Sequence, residues 1–238
     1  MTRLSLTTLF VFLSITHLVG QKAEFLFSTG MGFYSMGDLK ALNQELQQQI
    51  PFETRIVTDF PPYFQFGGQV AFKVYPIYRI GLKYMFSTTG SRISSADYSG
   101  EYYFDNVING HTIGLINSFR LYTFKTIELD FQVNLGVIFS TIKMEEFLNV
   151  FDTTVSGNSR FTSTGFFAEP VLQATYQWNV LKMGVFMGYL LNRGGKITTS
   201  DGAKTSSYAD WSGFRFGIVF GLTTGKSAQS LPVNSEHE

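Results

Sequence analysis

The stretch Asp210-Trp211-Ser212-Gly213-Phe214-Arg215-Phe216-Gly217-Ile218-Val219-Phe220-Gly221-Leu222 divides into two registers of opposite character. Successive side chains of a β-strand point to opposite faces. One face therefore carries Phe214, Phe216, Ile218, Phe220 and Leu222, and the other carries Gly213, Arg215, Gly217, Val219 and Gly221. Bulk therefore alternates with almost nothing. A strand with one crowded face and one nearly bare face needs a reason, which the rest of the chain supplies.

The same alternation recurs seven more times, giving expected strands at 24–34, 65–75, 77–87, 111–122, 125–139, 165–178, 180–191 and 211–222. Each is close to the ~10 residues that a tilted membrane strand needs. The connections alternate as well. Tight turns are expected at Tyr75-Pro76, Thr123-Phe124 and Gln177-Trp178-Asn179, and long polar loops at 35–64, 88–110, 140–164 and 192–210. The expected fold class is thus all-β: an eight-stranded antiparallel transmembrane β-barrel with long extracellular loops, short periplasmic turns and one short amphipathic loop helix.

Volume decides which face points inward. An eight-stranded barrel has an interior only just wide enough for its own side chains, so the many Phe, Leu, Ile, Val, Met and Tyr side chains of the bulky register must face lipid. The lumen then receives the other register, including Glu24, Lys73, Arg79, Lys83, Arg120, Glu128, Asp130, Glu169, Lys182 and Arg215. Charges in so narrow a space are costly unless paired, and the expected role of these ten is a salt-bridge and hydrogen-bond plug. Tyr75, Tyr78, Tyr122, Tyr176 and Trp178 beside the turns, with Phe33, Phe66, Phe86, Phe167, Tyr189 and Trp211 at the loop ends, are expected to form two interfacial girdles. Asn117 falls on the lipid face and Pro170 interrupts a strand; a bulge near either would restore the pattern.

Composition excludes other classes. The 238 residues carry 18 basic and 18 acidic side chains, which leaves no electrostatic footprint for nucleic acid. There is no cysteine, hence no disulfide, thiolate metal site or lipid-attachment cysteine. No cofactor is implied. Residues 1–20 have the layout of a signal peptide, with Arg3 before an apolar run to Val19. The barrel is expected over 21–222 and a polar, disordered periplasmic tail over 223–238.

With its leader, its eight alternating strands and the segment from Arg215 to Leu222, the chain resembles the small outer-membrane β-barrel proteins abundant in Bacteroidota. It is similar in architecture to the transmembrane domain of outer membrane protein A. In the resemblance, Arg215, Gly217, Phe220 and Leu222 match the terminal assembly signal of such barrels, with Leu222 where the family has an aromatic. The stretch Thr89 to Asn106 also looks like one from uncharacterised members of that group. The resemblance implies a multi-pass outer-membrane location with both termini periplasmic, insertion by the barrel-assembly machinery, and outer-membrane lipid as the surrounding partner.

Three further sets of residues carry candidate function. Leu39, Leu42, Leu46 and Ile50 form a stripe at helical spacing in the first loop, with Ser35 or Gly37 as cap and Asp38 in the first turn. That helix either covers the barrel mouth or, with Asn117, contacts a partner. Asp97, Tyr98, Glu101, Tyr102, Tyr103 and Asp105 combine acids with aromatics and are candidate contacts for a glycan, a cation or a protein. His111 has the height of a catalytic rim histidine, but Ile113 stands where a lipid A deacylase pattern has serine. The leading expectation is a non-enzymatic, plugged barrel presenting loops to a partner or ligand. The alternatives are an accessory subunit of a larger outer-membrane secretion or uptake complex, and a lipid-modifying barrel enzyme using His111.

Overall fold

The computed structural model describes residues 22–98, 100–151, 153–199 and 201–224. The leader expected at 1–20 lies outside the described residues, as does the tail expected at 223–238 from residue 225 on; Thr223 is instead the last residue of the final strand. In chain order the elements are β1 (Ala23–Gly32), α1 (Gly37–Gln49), β2 (Arg55–Asp59), β3 (Tyr63–Tyr75), β4 (Tyr78–Asp97) and β5 (Gly100–Phe124). There follow β6 (Ile127–Val150), β7 (Thr153–Trp178), β8 (Leu181–Arg193), β9 (Lys196–Thr198), β10 (Lys204–Tyr208) and β11 (Gly213–Thr223).

Eight of these strands close a ring. β3, β4, β5, β6, β7 and β8 pair each with the next, β8 pairs with β11, and β1 completes the circle between β11 and β3. The closing seam is regular, with Phe27 opposite Phe220 and Gly30 opposite Gly217. Closure leaves no open edge within the ring, the condition for a strand to cross lipid.

The two registers sort as their chemistry demands. Phe25, Phe27, Leu82, Leu115, Leu135, Val185, Ile218, Phe220 and Leu222 are among the large apolar side chains exposed on the outside, while Arg79, Lys83, Asp130, Glu169, Lys182 and Arg215 are buried inside. This inverts a soluble protein and fits a barrel whose solvent is hydrocarbon. One expected result tests it. Arginine in place of Val185, which is exposed near the middle of β8, should destabilise the lipid-embedded protein by about 2–4 kcal/mol. Unfolding titrations in lipid vesicles would measure the loss.

The structure corrects the expected loops. Residues 88–110 and 140–164 are not irregular: β4 and β5 pair without interruption up to Asp97 opposite Gly100, and β6 and β7 up to Val150 opposite Thr153. β5 alone has 25 residues, roughly 85 Å of chain at ~3.4 Å per residue. The four central strands therefore rise well beyond the membrane as a continuous sheet. β2 adds to its β4 side, through Arg55 opposite Ser94, and β9 and β10 to its β7 side, through Thr162 opposite Thr198.

Several smaller expectations change as well. The helix is present, but Met36 caps it in a left-handed conformation (φ 48°) without a side-chain hydrogen bond, rather than Ser35 or Gly37. Phe167 and Trp211 are not girdle residues: both point into the barrel and are 5% and 1% exposed. No bulge accompanies Pro170, whose neighbours keep one register against β8 from Ala168–Leu191 to Val171–Gly188. Asn117 stays on the outer face, and its polar atoms are occupied: the Tyr78 hydroxyl donates to Oδ1 (2.9 Å) and Nδ2 donates to the Val133 carbonyl (3.3 Å).

Candidate functional site

The lumen is built in tiers. Nearest the short turns, three cations meet three carboxylates. Arg79 pairs with Glu24 (2.7 Å) and Asp130, Arg120 with Glu128 (2.6 Å) and Asp130 (3.3 Å), and Lys182 with Glu24 (2.9 Å) and Glu128 (2.6 Å). Lys73 is half-buried on the same inward register and makes none of these pairs. A middle tier joins Lys83 to Glu169 at 2.6 Å, with Asn134 donating to the same carboxylate oxygen (3.1 Å) and Arg215 approaching the other at 3.6 Å.

Above the charges the lumen turns apolar. Tyr34, Met36, Leu39, Phe60, Ile108, Ile138, Ile142, Phe167, Leu190, Ile197, Ala209 and Trp211 form one buried cluster, with Leu42 packed against it. The aromatic rings fit because the opposite wall is glycine. A Cβ on Gly114 or Gly136 would meet the Phe167 ring at 2.7 or 2.8 Å, and one on Gly110 would meet Trp211 at 2.7 Å. The Trp211 indole N–H donates to the Ser140 hydroxyl (2.8 Å), so its one polar group is satisfied.

Helix α1 covers this cluster. Leu39 is fully buried in it, leaving that residue no surface for a partner, and Leu46 is half-buried. Three contacts fasten the helix: the Asp38 carboxylate accepts from the Tyr208 N–H (2.9 Å), Asn43 donates to Asp59 (3.3 Å), and Gln47 donates to the Thr54 carbonyl (2.8 Å). His111 sits on the exterior against Tyr84 and Phe86, with its Nδ1 hydrogen-bonded to the Tyr84 hydroxyl at 2.8 Å. Its hydrogen bond is therefore to a phenol, and among the described residues no serine or carboxylate is hydrogen-bonded to it.

The six residues singled out as ligand contacts do not form one set. Tyr98 projects from the tip of the β4–β5 hairpin, 99% exposed. Tyr103 and Asp105 share the outer face of the raised sheet, where Arg92 forks onto Asp105 (2.6 and 2.5 Å), lies over the Tyr103 ring, and Tyr103 stacks on Phe147 (centroids 5.0 Å apart, 17°). Asp97, Glu101 and Tyr102 instead line a groove of about 640 Å³ between β2 and the hairpin tips, together with Phe52, Glu53, Arg55, Val57, Leu148 and Val150. The sequence reading missed the far wall of this groove. Its signal was Arg55-Ile56-Val57-Thr58-Asp59, a short β-branched run inside what was read as loop.

Tyr102 anchors the groove. Its ring meets Phe52 edge-on, with centroids 5.4 Å apart, and its hydroxyl donates to Glu146 at 3.2 Å. Burial, and then the Glu146 charge, push the phenol up to about 12. The folded pKa exceeds the unfolded one, so this contribution to stability is intact below about pH 10 and is lost as pH rises from there towards 12. In an alkaline absorbance titration, the wild-type protein should show a late-ionising tyrosine that Tyr102→Phe removes.

A closed ring of eight strands with an apolar exterior and buried charges in its lumen defines a membrane β-barrel of the outer-membrane type. No family model and no curated protein matches the chain. Among solved structures it is similar to Ail, the attachment invasion locus protein of Yersinia pestis, at 12% identity over 85% of this chain and 98% of that one (TM-score 0.38). Ail in complex with the heparin analogue sucrose octasulfate matches at 10% identity over the same shares (TM-score 0.35). The outer membrane protease OmpT from Escherichia coli matches at 10% identity over 85% of this chain and 94% of that one (TM-score 0.26). Likenesses of this size bring no ligand, activity or site residue to this chain. The last one does correct an expectation: since a protease is among the similar barrels, the fold gives no ground for reading the chain as a non-enzyme.

Proposed function

We propose that this is an outer-membrane barrel of the Bacteroidota type, with both termini in the periplasm and no open pore, whose raised sheet holds a ligand at the cell surface. The observation that carries the reading is the groove between β2 and the hairpin tips. Phe52, Val57, Tyr102, Leu148 and Val150 give it an apolar floor, and Glu53, Asp97 and Glu101 outnumber Arg55 at its edge. The complementary ligand is cationic with an apolar face, since apolar contact supplies affinity and charge supplies orientation and on-rate. The closed lumen supports a surface role over a transport one, because paired charges and the apolar cluster leave no continuous aqueous path.

Binding of a short Lys/Leu peptide and of its Glu/Leu counterpart to the detergent-purified protein tests this. The Lys/Leu peptide should bind, and Phe52→Ala and Glu101→Lys should each weaken it at least tenfold. Equal binding of both peptides, or none of either, would refute the reading. A second reading, a subunit of a larger envelope complex, is favoured by one feature. From 153 to 161, β7 pairs with β6 but has no partner on its other side among the described residues, and residues 153–160 are all exposed. Such an edge suits strand addition. Mild extraction of the native protein, followed by measurement of its mass, separates the two.

A further inference from the structure

We infer that Arg215 holds a small monovalent anion inside the barrel. The guanidinium is 1% exposed, and none of its three nitrogens, Nε, Nη1 and Nη2, has a hydrogen-bond acceptor. The nearest carboxylate oxygen, Glu169 Oε1, is 3.6 Å away, too far for a hydrogen bond. Arginine cannot shed its proton to escape burial. The charge must therefore be met where it lies.

The protein does not meet it alone. The tier by the turns balances, with Arg79, Arg120 and Lys182 against Glu24, Glu128 and Asp130. The middle tier does not balance: Lys83 and Arg215 share the single carboxylate of Glu169, whose other oxygen is engaged by Lys83 and Asn134. One positive charge is left over in a region walled off on both sides. Towards the turns, the Phe186 ring lies across Gly217 in a cluster with Val171 and Val219. Towards the loops lie Tyr34 and Trp211, with the Arg215 Cζ 5.7 Å from the centre of the Tyr34 ring. An uncompensated charge in such surroundings costs several kcal/mol.

Donors for an anion are in place. Tyr34 and Ser87 bring their buried hydroxyls within reach of one another, and neither has a further protein partner, so at least one O–H is free to turn towards a bound ion. Together with the guanidinium they place hydrogen-bond donors around one point beside Arg215. The surplus of a single charge sets the valence, and the chemical class is a halide or an ion of that size.

The test uses the full chain refolded into detergent in chloride, bromide or gluconate at equal ionic strength. The thermal midpoint should rise with the logarithm of halide concentration, as for any ligand that binds only the folded state, and should not respond to gluconate. Arg215→Gln should abolish the halide response and Ser87→Ala should weaken it. If Arg215→Gln does not fold, Glu169→Gln serves instead: it adds a second surplus charge and should steepen the response. Crystals grown in bromide should show anomalous density beside Arg215. A midpoint indifferent to halide, or bromide found only elsewhere, would mean that water alone occupies the space and would overturn the inference.

Discussion

Replacing Glu169 by glutamine should lower the unfolding free energy by about 3–5 kcal/mol, the cost of breaking a buried ion pair from one side. The residue is 0% exposed, and among the described residues its carboxylate is the only one that Lys83 and Arg215 share. Removing it strands both cations inside the barrel. Glutamine keeps the shape and one acceptor oxygen, so the loss reports on charge rather than on packing. Glu24→Gln is the informative contrast. The Glu24 side chain is 12% exposed, where water from the mouth on the short-turn side supplies part of what Arg79 and Lys182 lose, and the loss should be nearer 1–3 kcal/mol. Urea titrations in detergent, followed by the mobility difference between folded and unfolded barrel on gels, would rank the variants. The double variant Lys83→Met with Glu169→Leu should recover part of the loss, because an apolar pair needs no desolvation. Equal, small effects of Glu169→Gln and Glu24→Gln would mean that the lumen is wet throughout and that the tiers carry no energetic distinction.

The barrel was legible because lipid enforces a strict period of two. Inward parity holds from Arg79 through Lys83 and Ser91 to Ile93 in β4, and from Glu128 through Asn134 to Ile142 in β6, with no slip where the strands leave the membrane. What hid the upper halves of those strands was a change of solvent. In Thr88-Thr89-Gly90-Ser91-Arg92 both faces are small or polar, since above the membrane the outer face meets water and needs no aromatics. The pattern that marks a lipid-facing strand fades there although pairing continues. Parity would have recovered more than was read from it. Trp211 and Arg215 share a register, as do Phe167 and Glu169, so the same count that sent the charges inward also sends these rings inward. Aromatic residues near strand ends suggest a girdle instead, and the space these rings occupy is left by Gly110, Gly114 and Gly136, which no local pattern ties to them. The groove was less legible for a different reason. Its walls come from β2, from the β4–β5 tip about forty residues on and from Leu148 and Val150 more than ninety residues on, and the first proximity is set by Arg55 pairing with Ser94, which no local pattern announces.

Trp211→Ala should destabilise the protein by about 3–5 kcal/mol, the range for removing a large buried aromatic. The indole is 1% exposed, fills the space over Gly110, meets the Tyr34 ring edge-on (centroids 4.8 Å apart, 79°) and donates to Ser140. Its removal leaves a cavity at the centre of the apolar tier and orphans the Ser140 hydroxyl. Helix α1 rests on the same cluster through Leu39, so the damage should spread to the first loop and show as faster proteolysis near the helix before the barrel itself unfolds. The chain has two tryptophans, and Trp178 is 62% exposed at a turn. In a Trp178→Phe background the emission should therefore be blue-shifted and resistant to aqueous quenchers. With the ion pairs acting as the proposed plug below the cavity, the variant should remain non-conducting in planar bilayers. Conductance appearing on loss of Trp211 alone would mean that the apolar tier is the sole barrier and that the charges line a path instead of sealing one.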